Sequence, residues 1–288
     1  MEIKKMLFVT DFEELWFDAL KSLMDLRKAG LNHVVFLHVI KREKVAMHRG
    51  KGYLKEEEVR LKQIADVRFI DWAESIFEMG MECGAYVVIG KNVPKILSTV
   101  EAEKVDLIVM GAHKRTKLEK LYADSETLEL LRRTQTPVLV HKYMLPSGKV
   151  NEKPFETPIL VTDWSPPCER ALEYIISLKN AIKKVIVTHV MGEAAMKGKS
   201  KTELQRIQKE SKKRLDDVAI TFEDEGIEVE THLGVGEIVP EIENVARVYN
   251  ATMVVTGTTG KGAWRARWLG STSQELAESS ELPTLLIP

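Results

Sequence analysis

PILVTDW, residues 158–164, is a short apolar run that ends in Thr-Asp-Trp, and MLFVTDF, residues 6–12, repeats it near the start of the chain. Apolar, β-branched runs of this length are typical of buried strands. A helical pattern follows each run, around Ala19 in the first case and Ala171 in the second. The same strand–turn–helix unit is therefore predicted at two places in the chain.

Three further pairs of segments extend this repeat. HVVFLHVI (33–40) corresponds to KVIVTHVM (184–191), VDLIVMGAHK (105–114) to ATMVVTGTTG (251–260), and TPVLVH (136–141) to LPTLLIP (282–288). The spacing between the copies falls from 152 residues at Asp11 and Asp163 to 146 at Gly111 and Gly257, as expected if connecting loops lose six residues. Self-similarity at this length predicts two copies of a whole domain rather than a short solenoid repeat.

The predicted domains span residues 1–144 and 157–288, and the polar segment LPSGKVNEKPFET (145–157) is interpreted as the linker. In the second copy, strands are predicted near 157–162, 184–190, 227–233, 252–256 and 283–287, and helices near 166–181, 200–225, 237–249 and 271–281. The strands are almost continuously apolar, as expected when helices cover both faces of a sheet. Alternating strands and helices predict an α/β fold in which each copy is a five-stranded, doubly wound parallel sheet.

The composition is that of an ordinary globular protein, with 288 residues, 44% hydrophobic residues, 30% charged residues and a formal net charge of −1. This balance gives no general attraction to nucleic acid or to an anionic membrane. Cys83 and Cys168 are the two cysteines, and they fit neither a disulfide framework nor a zinc site. No membrane span or export signal is visible, so we expect a cytoplasmic protein without a metal site of its own.

The segment GTTGKGAWRARWLGS, residues 257–271, follows the fourth strand of the second copy and is rich in glycine. Ligands of open parallel sheets bind at the carboxyl ends of the strands. If the first and fourth strands are neighbours, Asp163 lies opposite Gly257 at that edge. Ser271 is predicted to begin the last helix, where Ser271-x-x-Gln274 fits a capping box and unpaired N–H groups suit a phosphate.

Two interpretations of this loop are open. In the first, Gly257 ends a strand and Gly270 precedes a helix, and both are ordinary loop glycines without a ligand. The joint spacing of Gly257, Gly260, Gly270 and Ser271 instead favours a phosphate pocket built from backbone, since glycine permits turns and close approach to a ligand. Cationic side chains at Lys261, Arg265 and Arg267 lie in the same loop. Neither a P-loop nor a complete dinucleotide fingerprint is present.

Both copies together resemble a tandem universal stress protein, and the resemblance covers essentially the whole chain. The nucleotide-binding members of that family carry G-x2-G-x9-G-(S/T), which Gly257, Gly260, Gly270 and Ser271 match here. The resemblance implies a sheet in the order 3-2-1-4-5 in each copy. It also implies that Asp163 contacts the ribose, that backbone at Val190 after the second strand borders the adenine, and that the glycine motif with Thr272 and Ser273 holds the phosphates.

The first copy departs from this motif in GAHKRTKLEKLYADS, residues 111–125. Gly111 and Ser125 are retained, but Lys114 replaces the second glycine and Asp124 replaces the third. A carboxylate beside the helix start supplies the negative charge that a phosphate would have supplied. Two such charges about 4 Å apart repel by roughly 1 to 4 kcal/mol at surface-like dielectrics. We therefore expect weak ATP binding in the first copy and one competent site per chain.

The function favoured by these patterns is that of a regulatory protein of the stress response. Its expected ligand is ATP, or AMP or ADP, with or without Mg²⁺ bound to the phosphates. One alternative is a protein-interaction scaffold that works without nucleotide, with an unknown protein partner. Slow ATP hydrolysis, autophosphorylation and adenylyl transfer are further alternatives, although no catalytic base and no pair of metal-binding carboxylates is evident.

Two other features of the sequence carry predictions about packing. His38 and His189 end apolar strands and are interpreted as packed histidines satisfied by backbone rather than as catalytic groups. The segments TPVLVH and LPTLLIP would leave nearly apolar sheet edges, which are aggregation-prone when bare. Packing of the two fifth strands against each other would cover both edges and create an intramolecular pseudo-dimer, with a further homodimer left open.

Overall fold

The computed structural model describes residues 3–12, 16–45, 52–111, 126–145, 147–259 and 269–288. Its strands are β1 (Lys5–Val9), β2 (His33–Lys41), β3 (Glu82–Gly90), β4 (Leu107–Gly111), β5 (Val138–His141), β6 (Pro158–Val161), β7 (Lys184–Gly192), β8 (Glu228–Gly236), β9 (Met253–Gly257) and β10 (Thr284–Ile287). The described helices are α1 (Phe17–Lys21), α2 (Arg42–Val45), α3 (Lys55–Glu78), α4 (Asn92–Glu103), α5 (Glu126–Leu131), α6 (Pro166–Ser177), α7 (Glu193–Met196), α8 (Lys201–Asp224), α9 (Ile238–Val248) and α10 (Ser271–Ser279). Two 3₁₀ helices, Met24–Ala29 and Lys179–Ala181, complete the described elements.

The ten strands that the structure describes belong to one sheet, in the order β3-β2-β1-β4-β5-β10-β9-β6-β7-β8. The first five strands form the N-terminal half in the order 3-2-1-4-5, and the last five form the C-terminal half in the same order, read from the opposite edge. Pairing is parallel within each half. The predicted α/β fold with the strand order 3-2-1-4-5 is confirmed in each half, and the two halves share one continuous sheet.

The two halves meet where β5 and β10 pair antiparallel, with Leu139 opposite Leu285. The expected contact between the two fifth strands is therefore present, and it converts two apolar edges into the centre of a sheet. Lys142 follows β5 and donates a hydrogen bond to the Ser280 carbonyl oxygen of the other half. Burial lowers the pKa of the Lys142 ammonium to about 8.

Helices on both faces explain why the central strands are apolar along their whole length. β4, β9 and β10 bury nearly every residue, as a parallel sheet covered on both sides requires. The core also crosses the junction, because Ala277 and Leu286 of the C-terminal half pack in one cluster with Val138 and Val140. Along the described part of the chain, no helix combines the length and the apolar character that a bilayer span requires.

β7 and β8 are longer than their sequence patterns predicted. Their parallel pairing continues from Lys184 and Glu228 to Gly192 and Gly236. β8 and its N-terminal counterpart β3 are the outermost strands of the sheet. Each outer strand is paired along one side, so the sheet ends in two nine-residue edges.

Candidate functional site

A crevice opens where the winding of the C-terminal half reverses. β6 lies between β7 and β9, and Val161 of β6 is the register partner of Thr256 in β9. The helices that follow these strands pack on opposite faces of the sheet. Ala171 of α6 lies in one core cluster with Leu160 and Val255. Leu276 of α10 lies in another, with Ile159 and Val254. This strand-end crevice is where open α/β sheets bind ligands, and it brings Asp163 beside Gly257.

The turn after β6 is held by side-chain hydrogen bonds. Trp164 has φ +66°, which is rare for an aromatic residue, and its N–H donates to the Thr162 hydroxyl oxygen at 3.1 Å. The N–H of Ser165 donates to Asp163 Oδ1 at 3.0 Å. Asp163 therefore orients the start of α6 while its partly exposed carboxylate lies at the strand end.

His189 supports this turn from the neighbouring strand β7. Its Nδ1 lies 2.7 Å from the Thr162 carbonyl oxygen, and because a carbonyl only accepts, Nδ1 carries the hydrogen. Its ring also packs on Trp164 with 5.0 Å between centroids. This geometry matches the packed histidine that the sequence predicted and gives His189 a positioning role.

Val190 lies further inside its strand than the sequence indicated. The second strand of this copy was predicted to end near Val190, but β7 continues to Gly192, so Val190 pairs with Gly234 within the strand. Its side chain is 8% exposed and packs in the core with Ile159 and Ile242. Only the backbone of Val190 is thus in a position to border a base.

Gly257 is explained by a close approach within the protein. A Cβ built there would lie 2.5 Å from the Pro167 Cβ and 2.9 Å from the Cys168 nitrogen, so the first turn of α6 occupies the space of a side chain. The φ of Gly257 is not positive, so the backbone conformation is not the reason for glycine at this position. Gly257 therefore allows α6 to pack against the end of β9, whereas Gly260, Lys261, Arg265 and Arg267 lie outside the described residues.

Gly270 is the N-cap residue of α10 and ties this helix to β9. Its N–H donates to the Thr258 carbonyl oxygen at 2.8 Å. The predicted capping box at Ser271 is wrong, because Gly270 with φ −65° and ψ 144° takes the N-cap position and no side chain caps the helix. Ser271 is instead the first helical residue, one position too far along the chain to cap the turn.

The first turn of α10 presents the N–H groups expected of an anion site. The Gln274 N–H makes the first helical bond, to the Gly270 carbonyl at 2.9 Å, so the preceding amides at Ser271, Thr272 and Ser273 have no acceptor within the helix. The Ser273 hydroxyl is buried and donates to the Gly257 carbonyl at 2.7 Å. Ser273 could therefore meet a phosphate with its amide, whereas its hydroxyl fixes the helix to the strand.

Two residues near Asp163 were not identified from the sequence. The Ser165 hydroxyl donates to the Thr259 carbonyl at 3.3 Å, which links α6 to the start of the glycine loop. Cys168 lies behind the aspartate, with Sγ 3.3 Å from Asp163 Oδ1, and burial raises the pKa of its thiol. Ser165 could have been found as the residue before Pro166-Pro167, since serine often precedes a helix; no comparable signal marks Cys168.

The N-terminal half repeats the turn that follows the first strand. Phe12 has φ +64°, its N–H donates to the Thr10 hydroxyl at 2.9 Å, and His38 Nδ1 lies 2.8 Å from the Thr10 carbonyl. Lys114, Asp124 and Ser125, which distinguish this half in sequence, lie outside the described residues. In the ranges that the structure describes, no three His, Cys, Asp or Glu side chains come together in a way that could hold a metal ion.

Comparisons with known proteins agree with the internal repeat. The model of the universal stress protein family matches the chain twice, over residues 2–142 and 156–288. The universal stress protein MJ0577 of Methanocaldococcus jannaschii is 29% identical over 153 residues, which cover 48% of this chain and 94% of that protein.

Solved structures show the same fold over nearly the whole chain. A universal stress protein from Archaeoglobus fulgidus has a TM-score of 0.74 at 24% identity, and the match covers 99% of this chain and 96% of that one. A putative universal stress protein from Pseudomonas aeruginosa has a TM-score of 0.65 at 16% identity, covering 99% of this chain and 93% of the other. With two family matches and one repeated fold, the chain belongs to the universal stress protein family as a tandem member.

Proposed function

We propose that the protein is a regulatory protein that binds an adenine nucleotide, ATP in the first place, at one site in its C-terminal half. The observation that carries this proposal is the position of α10. Gly270 is hydrogen-bonded to Thr258 and the Ser273 hydroxyl to the Gly257 carbonyl. These bonds hold the amino end of α10 at the end of β9, next to β6, which leads into the turn that contains Asp163.

The chemistry of the crevice suits a nucleotide at three points. The N–H groups of the first turn of α10 and the positive end of its dipole favour a phosphate. The Asp163 carboxylate accepts hydrogen bonds and would suit ribose hydroxyls, with backbone at Val190 bordering the adenine. As a single carboxylate, Asp163 would join an Mg²⁺ ion only together with the phosphates.

The glycine spacing supports one site rather than two. Gly257, Gly260 and Gly270 leave the backbone of the C-terminal loop without side chains at the motif positions. The N-terminal loop carries Lys114 and Asp124 at the second and third of these positions. We propose that nucleotide in the C-terminal crevice changes the loop 257–271 and, through it, contacts with a protein partner, while the N-terminal half serves architecture or regulation.

Equilibrium dialysis against labelled ATP tests the number of sites, and we expect one site per chain. Gly270→Asp tests its location, because it places a carboxylate at the amino end of α10, at the motif position that Asp124 holds in the sequence of the other copy. Repulsion of roughly 1 to 4 kcal/mol corresponds to a loss of about one to three orders of magnitude in affinity. Asp is a favourable N-cap residue, so the variant is expected to fold.

Gly270→Asn is the matched control, because it adds the same shape without the charge. We expect this variant to keep most of the affinity of the wild type. Two equivalent sites per chain, or an unchanged affinity in Gly270→Asp, would contradict the proposal. Binding lost equally in both variants would show that the residue's size rather than its charge is decisive, and would also count against the phosphate assignment.

A further inference from the structure

The helix whose amino end would bind the phosphates is also in contact with the N-terminal half. Ala277 of α10 is buried in one core cluster with Val138 and Val140 of β5. Ser280 is the C-cap residue of α10, and its carbonyl oxygen accepts a hydrogen bond from the Lys142 ammonium. The N-terminal half therefore holds α10 near the end that lies opposite the proposed phosphate site.

Lys142 is part of a connected group of polar residues at this end of the helix. Glu281 follows Ser280, and its N–H donates to Glu243 Oε1 of α9 at 3.1 Å. The carboxylates of Glu243 and Glu281 lie close enough to Lys142 to favour its charged form. We call Lys142, Glu243, Ser280 and Glu281 the Lys142 cluster. This cluster joins the carboxyl end of α10 both to α9 and to the other half of the molecule.

The charge of Lys142 is not explained by stability. Burial lowers the pKa of the ammonium to about 8, despite the two carboxylates, whereas a lysine in an unfolded chain titrates near about 10.4. Because the folded pKa is the lower one, the protonated lysine is less favourable in the folded chain, and at neutral pH its charge reduces the free energy of unfolding. A charge at such a position calls for a reason other than the stability of the fold.

The internal repeat provides a reference for this cluster. Residues 91–97 (KNVPKIL) align with 237–243 (EIVPEIE), and 134–142 (TQTPVLVHK) with 280–288 (SELPTLLIP), both at a spacing of 146 residues. The antiparallel pairing of β5 with β10 places Leu139 opposite its own equivalent, Leu285. Each position on one side of the junction thus has a counterpart on the other side.

The counterpart of the Lys142 cluster is uncharged in sequence. The equivalents of the three charged residues are Leu97 for Glu243, Gln135 for Glu281 and Pro288 for Lys142. Leu97 packs against the apolar core. The fold is therefore compatible with uncharged residues at these positions, and the charged set occurs beside α10, the helix that follows the intact glycine motif.

We propose that Lys142 is a positioning residue for the nucleotide: from the N-terminal half it holds the carboxyl end of α10, so that the amides at the amino end meet the phosphates. The inference rests on the function proposed above. The bonds of Gly270 and Ser273 fix the amino end of α10 to β9, and the bond from Lys142 fixes the direction of its axis. With nine residues, α10 is about 14 Å long, so a shift at Ser280 tilts the whole helix.

This arrangement predicts a selective effect on ligands that carry phosphates. The phosphates would meet the amides of α10. An adenosine moiety would instead contact Asp163, which follows β6, and the backbone at Val190 in β7. Loss of the Lys142 bond should therefore weaken the binding of ATP and leave the binding of adenosine nearly unaffected.

Hydrogen exchange of the full chain without nucleotide, measured by mass spectrometry, tests whether Lys142 holds α10. Lys142→Met removes the charge and the donor but keeps an unbranched side chain. We expect the amides of α10 to exchange about fivefold faster than in the wild type, as the loss of one hydrogen bond allows, while those of α6 keep their rate. Lys149→Met removes the same charge from an exposed position of the linker, and this matched control should leave both rates unchanged.

Isothermal titration calorimetry with ATP and with adenosine tests the consequence for the ligand. In Lys142→Met we expect the affinity for ATP to fall about fivefold and that for adenosine to change by less than about twofold, as for a residue that acts through an intervening element. Glu243→Leu introduces the residue of the other half while Lys142 stays in place. It should lower the ratio of the two affinities in the same direction by a smaller factor. Far-ultraviolet circular dichroism checks that each variant is folded.

The outcomes separate this inference from the proposed function. An unchanged exchange rate of α10 in folded Lys142→Met overturns the inference, whatever the titrations give. If the wild type prefers ATP to adenosine and both variants keep this preference, the inference is wrong and the proposed function stands. If both ligands lose affinity equally, Lys142 contributes general stability and the inference is likewise wrong. A wild type without affinity for ATP contradicts the proposed function and removes the inference with it.

Discussion

The turns Thr10–Phe12 and Thr162–Trp164 are built alike, with an aromatic residue at positive φ held by a threonine hydroxyl and a histidine from the next strand. The sequences that follow β4 and β9 differ, since glycines of the C-terminal half are replaced by Lys114 and Asp124 in the N-terminal half. The halves therefore share what the fold needs and differ in what a ligand or a partner would contact. Substitutions in one half alone can therefore distinguish residues that the fold requires from residues that a ligand or a partner would contact.

The largest effect on stability is expected at His141, whose counterpart in the C-terminal half is Ile287. Burial lowers the pKa of His141 from 6.5 to about 4. Between these pH values the unfolded chain binds a proton that the folded chain excludes, so the free energy of unfolding falls as pH drops from 6.5 to 4. At 1.36 kcal/mol per pKa unit the loss is about 3 kcal/mol.

His141→Ile gives the N-terminal half the residue of the C-terminal half and should remove this part of the pH dependence. Ser22, which contacts His141 Nε2, keeps its hydrogen bond to the Ala19 carbonyl. Urea unfolding of both proteins at pH 7.0, 5.5 and 4.0 measures the slopes (about 3 kcal/mol apart in total). Burial also lowers the pKa of His33 and His38, and these contributions cancel in the comparison; equal slopes would show that His141 does not carry the effect.

The next effect is expected at Gly257, where the close approach of α6 gives a packing reason for glycine beside the proposed contact with a ligand. Gly257→Ala forces the Cβ against the backbone of α6 and should lower the free energy of unfolding by about 2 kcal/mol, as overpacking typically does. Gly84→Ala is the control in the other half, since its Cβ would meet nothing closer than 3.9 Å. Urea unfolding midpoints of the two variants measure this difference in stability. Two equally stable variants would show that α6 shifts to accommodate the Cβ without a loss of free energy of unfolding.

The smallest effect concerns the shared turn. Thr10→Val and Thr162→Val remove the hydroxyl that accepts the N–H of Phe12 or Trp164. Each should lower the free energy of unfolding by about 1 kcal/mol, the usual contribution of a hydrogen bond. Thermal unfolding of both variants checks whether the two losses agree. A large difference between them would mean that the two turns, although alike in geometry, carry different strain.

The order of strands and helices could be predicted because burial on both faces leaves apolar runs that a sequence displays directly. The first helical residue of α10 was predicted correctly as Ser271, but the residue that caps the helix was not. Ser271 looks like an N-cap in sequence, but the bond from the Gly270 amide to Thr258 sets the cap one residue earlier. Similarly, β7 runs past Val190 because β8 pairs with it to the end, and a single strand's residues do not show how far its neighbour extends.

The sequence was sufficient to propose the residues of the candidate site, but it did not show the structural reason for each of them. Glycine at 257 fits a ligand loop and a tight helix–strand contact equally well. The contact involves Pro167, 90 residues earlier in the chain, which spacing alone does not show. The positive φ of Phe12 and Trp164 was also not predictable, since aromatic residues seldom adopt it and only the surrounding threonine and histidine make it favourable here.

The antiparallel contact of β5 with β10 has a consequence for how such a protein can diverge. A single-domain protein that covers an apolar edge with a second molecule depends on concentration, whereas tethered strands of one chain meet at a high effective concentration and stay paired at any dilution. Each half then has a permanent neighbour encoded in the same gene. A duplicated half held in this way can lose its own ligand motif and still be retained, because the other half needs its fifth strand to cover the apolar edge of β10.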